Sequence, residues 1–139
     1  MTTPAQATTI ERYTTDVWSK GDLDAVDEIF TADRFRHGPA WEAPAPGTTG
    51  ARALVARYRE SFPDLVMTVE AQAGEGDVVM TRFRARGTNL GPTLGVAATG
   101  RPVDVFGFWM HRFDGDRIAE EWVAWDTWGH LQQIGVSLA

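Results

Sequence analysis

The sequence predicts an α+β fold, with helices first and then a mainly antiparallel sheet that carries them on one face. Three observations carry that expectation. Apolar residues recur at helical spacing as far as Phe62, the period changes to two from Leu65 onward, and a tight Asp114-Gly115-Asp116 turn joins two long strand-like runs. At 139 residues the chain suits one domain spanning 1–139. A chain of that length buries roughly two-thirds of its unfolded surface and needs no metal or disulfide staple.

The elements follow in order. Ile10, Val17 and Trp18 share one face of a first helix, which Lys20-Gly21-Asp22 ends. Asp22 can cap a short second helix carrying Leu23, Val26, Ile29 and Phe30, and Arg34 to His37 is a brief extended piece. Gly38 to Gly50, rich in Pro, Gly and Ala, is a loop. Thr49 or Gly50 opens a third helix with Leu54, Val55, Tyr58 and Phe62 as its buried stripe, and Pro63-Asp64 stops it. Leu65 to Ala73 and Val78 to Thr88 are strands joined by the Gly74–Asp77 turn. Asn89 to Gly100 is a second loop, Pro102 to Phe113 and Arg117 to Trp125 are long strands, and Thr127 to Ile134 is a terminal helix. Both faces of the last two strands are apolar, so helices should cover one face and a second subunit the other, as in a homodimer.

Composition removes several functions. Without cysteine the chain offers no thiol nucleophile, zinc thiolate or disulfide. A formal charge of −6 argues against a nucleic-acid partner, which needs a basic face. The N-terminal residues lack the blocks of a signal peptide, and no apolar run approaches the ~18 residues of a membrane span. A cytoplasmic protein without a membrane partner is the expectation. Neither a phosphate-binding glycine loop nor a histidine pair at metal-ligand spacing occurs, so no cofactor and no metal are expected.

The chemistry-bearing residues gather late in the chain. Asp126 ends the last strand among Trp122, Trp125 and Trp128. It can cap the terminal helix, and a carboxylate in apolar surroundings is also a usable base near neutrality. His111 lies on the partner strand, within reach of Asp126 if the register allows, and His37 would stand at the mouth or wall of a cavity. His130 reads as a helix-surface residue. Trp109 and Trp122 read as core or cavity wall, and with Phe106 and Met110 they are the substrate-contact candidates of these strands. Trp41 has little structural purpose in a mobile loop unless it closes on something, so Trp41 and the Leu90–Ala98 loop form a candidate lid. Arg82, Arg84 and Arg86 share a strand face, with Glu70 and Asp104 as their expected ion-pair partners.

The order of elements resembles the SnoaL-like polyketide cyclases of the NTF2-like superfamily. Residues carrying the likeness include Phe62-Pro63-Asp64-Leu65, Gly76-Asp77-Val78-Val79, Gly87-Thr88, Leu94-Gly95-Val96 and Thr99-Gly100-Arg101. It continues through Gly107, Arg112-Phe113, Asp114-Gly115, Arg117-Ile118, Glu120, Trp122, Asp126 and Gln133-Ile134-Gly135. The resemblance implies an NTF2-like cone, with N-terminal helices packed on a curved, mainly antiparallel sheet. It also implies a cofactor-independent enzyme that closes a ring of an aromatic polyketide-type substrate by intramolecular aldol condensation. Asp126 is the residue matched to the acid/base, with His111 or His37 polarising an oxygen. Two alternatives accompany it: a hydroxylase component working with a reductase partner, and a non-catalytic module for small-molecule binding or dimerisation.

Overall fold

The computed structural model describes residues 1–137. Helix α1 spans Pro4–Arg12, and its first turn is fixed by a capping box. Thr3 accepts from the Gln6 backbone, while the Gln6 side chain accepts from the Thr3 N–H. The helix does not stop at Arg12 but widens into a π-helical stretch, Tyr13–Ser19. Thr14 bonds back to the Ile10 carbonyl at 2.7 Å, one device by which a hydroxyl loosens the α-helical ladder. The wider turn lets Tyr13, Val17 and Trp18 all face inward.

A short 3₁₀ turn, Leu23–Ala25, leads into α2, Val26–Ile29. Strand β1, Phe30–His37, starts four residues earlier than its sequence suggests, because Phe30 is already extended and buried. Helix α3, Gly47–Ser61, starts two to three residues earlier than expected, behind Pro46, which is extended. Then come β2, Val66–Glu75, β3, Val78–Thr88, β4, Pro102–Asp114, β5, Arg117–Trp125, and the short helix α4, Thr127–Gln133.

The sheet order is β1-β5-β4-β3-β2. Its pairs are antiparallel except β1 with β5, which run parallel. The sheet is open, with β1 and β2 as its edges, and the helices pack against it in an α+β arrangement. Register assigns the two faces. Trp109 pairs with Val123 and His111 with Glu121, so these four point inward, while Phe106, Phe108, Met110 and Trp122 point outward. The inward row meets Ile10, Tyr13, Val17, Val26, Ile29 and Leu54 in one core, with Trp109 stacked on Phe83 at 4.4 Å. No helix among the described residues is long and apolar enough to cross a membrane.

Candidate active site

The core does not fill the space under the sheet. A pocket lies between the C-terminal half of α3, the π-helical stretch, α4 and the inner face of β2 to β5, with about 630 Å³ of space counting the solvent at its open mouth. Its walls are apolar and aromatic: Trp18, Phe62, Phe83, Trp109, Val123 and Trp125 are among them. Gly107 helps to make this room. A Cβ there would lie 2.4 Å from the Phe83 ring and 2.7 Å from Trp125 Cβ, so glycine leaves room for both aromatics beside β4. The polar groups that reach the pocket are few, chiefly Arg36, Tyr58 and His130.

Arg36 and Tyr58 belong to a buried network. Glu121, fully buried, receives Arg36 Nη1 at 2.5 Å, His111 Nε2 at 2.7 Å and Tyr13 Oη at 3.2 Å. Arg34 adds its charge at 3.6 Å. Burial works against the Glu121 charge, yet Arg36, His111 and Arg34 hold its carboxyl well below the usual carboxylate range. Since an ionised carboxylate only accepts, His111 Nε2 carries the proton in this pair. Arg36 also forks onto Glu42, with Nε at 2.7 Å from Oε1 and Nη2 at 3.2 Å from Oε2. Tyr58 donates to the same Glu42 carboxylate at 2.8 Å. Burial first, and Glu42 second, push the Tyr58 hydroxyl well above the ordinary tyrosine value, so it stays protonated.

The residues nominated from sequence fall in three places. Asp126 caps α4: its carboxylate accepts from the Gly129 N–H at 2.9 Å. A Cβ at Gly129 would lie 2.1 Å from Asp126 Oδ2, so a larger residue there would push the capping carboxylate aside. Asp126 is not itself among the pocket walls: its neighbours in the chain, Trp125 and His130, line the pocket, while its carboxylate lies on the helix N-terminus. His111 faces inward and is fully buried, but its Nε2 is held by Glu121 beyond Trp109, and it is not among the pocket walls. His37 lies on the outer face, bonded to Glu120 at 2.7 Å and stacked flat on Trp122 at 4.8 Å.

Trp122, Phe106 and Met110 share that outer face, whereas Trp109 lines the pocket. Of the arginine row, Arg82 and Arg84 are outside as well, paired to Glu70 and Asp104, while Arg86 reaches the rim of the pocket. Trp41 stands edge-on to Trp125 at 5.8 Å. With Glu42, Tyr58 and residues Pro92 to Leu94 it borders a second cleft of about 400 Å³. Tyr58 belongs to both walls, so the two loops meet beside the pocket.

His130 is not a surface residue. It is 2% exposed, because α4 turns that side toward Phe62 and Trp125. Its spacing of four from the buried Ile134 was the available sequence signal. For the network the signal was strand alternation: Glu121 shares the period-two row of Val123 and Trp125, and Arg34 shares that of Arg36. Among the described residues no three His, Asp or Glu side chains converge as a metal set would.

Comparison with known proteins places these features in a family. The family model of the SnoaL-like polyketide cyclases matches residues 8–134. A candidate SnoaL-like polyketide cyclase from Jannaschia sp. CCS1 superposes with a TM-score of 0.87 at 26% identity, covering 98% of this chain and 97% of that one. IdmH, a candidate polyketide cyclase from Streptomyces antibioticus, gives a TM-score of 0.81 at 31% identity, over 94% of this chain and 99% of its own. A 77-residue stretch, 52% of this chain, is 38% identical to the UDP-N-acetylmuramate–L-alanine ligases of Mycobacterium ulcerans and Mycobacterium marinum. That stretch spans 15% of each ligase.

Proposed function

The chain belongs to the SnoaL-like polyketide cyclase family, and from that premise we propose that it is a cofactor-independent enzyme closing a ring of an aromatic polyketide-type carbonyl compound by intramolecular aldol condensation. The observation that carries this reading is the apolar, aromatic-walled pocket with polar groups confined to a few positions. A flat, largely apolar substrate fits such walls, and the few polar atoms fix its orientation.

In an aldol closure a base takes the proton alpha to one carbonyl, and the enolate carbon bonds to a second carbonyl. The oxygen of that second carbonyl ends as a hydroxyl, taking the proton back. Asp126 is assigned both proton transfers. Its carboxylate would exchange the Gly129 N–H for the substrate, a swap that costs about 1 kcal/mol of cap. Arg36 places positive charge at the pocket wall where an oxyanion develops. His111 is assigned a positioning role through Glu121 to Arg36, and Trp41 with the 90–98 loop the role of a lid. The exposed outer face, with Phe35, Phe106 and Phe108, is assigned to a homodimer, which light scattering would reveal.

Solvent-deuterium exchange tests the chemistry. With a tricyclic polyketide ester as substrate, the wild type should exchange the alpha proton and form the ring. Asp126→Asn should bind the ester and do neither, since the amide oxygen keeps the cap while losing the base. Full exchange by Asp126→Asn would remove Asp126 from the mechanism. No turnover by the wild type, with binding intact, would leave a binding module.

A further inference from the structure

His130 is placed unlike any other polar residue of the pocket. Arg36 and Tyr58 also reach it, but their polar atoms are already engaged by Glu42 and Glu121, and Arg86 is exposed to solvent. His130 Nε2 is buried with no hydrogen-bond partner among the described residues. The ring is held edge-on by two other pocket residues, Phe62 at 5.4 Å and Trp125 at 5.3 Å. Trp18 Nε1 is the other buried, unpartnered nitrogen on a pocket-lining residue, and an indole can only donate.

An unpaired nitrogen in such a place destabilises the empty protein, because a buried polar group without a partner loses its hydration for no return. His111 Nδ1 is also buried without a partner, but that ring is already fixed by Glu121 and lies outside the pocket, whereas no hydrogen bond fixes the His130 ring. Burial holds the His130 pKa below the ordinary histidine value, so the ring is neutral at pH 7. A neutral imidazole nitrogen either accepts from a hydroxyl or donates to a carbonyl, depending on tautomer. The charged and titratable groups near it are Arg36 on β1, Tyr58 on α3, Arg86 on β3 and Asp126 at the head of its own helix.

We infer that His130 is the positioning and specificity residue of the pocket, its Nε2 hydrogen-bonding an oxygen substituent on the flat ligand clamped between Phe62 and Trp125. This rests on the reading of the pocket as a ligand site. It selects ring systems that carry a hydroxyl or carbonyl at the edge meeting α4 over bare hydrocarbons. Discrimination of this kind is strong because a ligand without the oxygen leaves the nitrogen unpaired.

The test uses two probes of nearly the same shape, 2-naphthol and naphthalene, titrated into the full chain and followed by tryptophan fluorescence. His130→Phe keeps an aromatic ring in the site, and His130→Gln restores a hydrogen-bonding group. His130→Phe should weaken 2-naphthol roughly three- to tenfold and leave naphthalene unchanged or tighter. His130→Gln should recover part of the loss. In the wild type, the His130 side-chain ¹⁵N resonance should move with 2-naphthol and stay still with naphthalene. Equal effects of His130→Phe on both probes, with an unmoved resonance, would overturn the inference while the pocket remained a ligand site. Failure of the wild type to bind either probe would overturn both.

Discussion

The inner face of the sheet has two ends that solve opposite problems. At one end Tyr13, Arg34, His111 and Glu121 are fully buried and joined into a charge network. At the other, Val123, Trp125, Phe62 and His130 surround unfilled space with scarcely any paired polar atom. Strand β5 runs through both ends, separated by the step from Glu121 to Trp125. The network fixes Arg36; the apolar end is left partly open to solvent. A protein seeking only stability would have filled the second end, since unfilled apolar space forfeits packing.

Breaking the network should have the largest effect. Glu121→Gln leaves Arg34 and Arg36 without their shared counter-charge, and removing one partner of a buried ionic set destabilises by about 3–5 kcal/mol. Urea unfolding would register it as a lower midpoint. The same group makes stability depend on pH. The Glu121 carboxyl is held below its ordinary value of 4.5 in the folded chain, so its contribution is fully present above that value. It is lost as pH falls through the folded value, so the wild type should lose stability below pH 4.5 more steeply than Glu121→Gln.

At the apolar end the expected effects are smaller and concern shape. Gly107→Ala would push a methyl group into Phe83 and Trp125, and overpacking of this kind destabilises by about 1–3 kcal/mol. It should also narrow the pocket and weaken naphthalene binding. If affinity were unchanged, the ligand would not sit against Trp125. Smaller again is the cap. Asp126→Ala should destabilise by about 1 kcal/mol and Asp126→Asn by much less, as thermal denaturation would show.

Much of the fold was legible because period and turn chemistry are local. The shift at Leu65, the Asp114-Gly115 turn and the Asp126 cap each depend on a few neighbouring residues. The π-helical stretch was not legible, since what rewards it is the burial of Tyr13 against Trp109 of β4 and of Trp18 against Tyr58 of α3. The site was legible only in part for the same reason. His37 and Trp122 attract notice as chemistry-bearing residues, yet register turns both outward, and a slip of one residue reverses a face. His130 was passed over because histidine is ordinarily solvated in a helix this short, and only Phe62 and Trp125, from other elements, bury it.

The most direct test of the two-ended inner face is a backbone-amide and tryptophan-indole NMR titration with naphthalene. Shift changes should concentrate at Val123, Trp125 and His130, with Tyr13 and His111 quiet. Changes confined to the outer face around Phe106 and Phe108, or none at saturating probe, would contradict it.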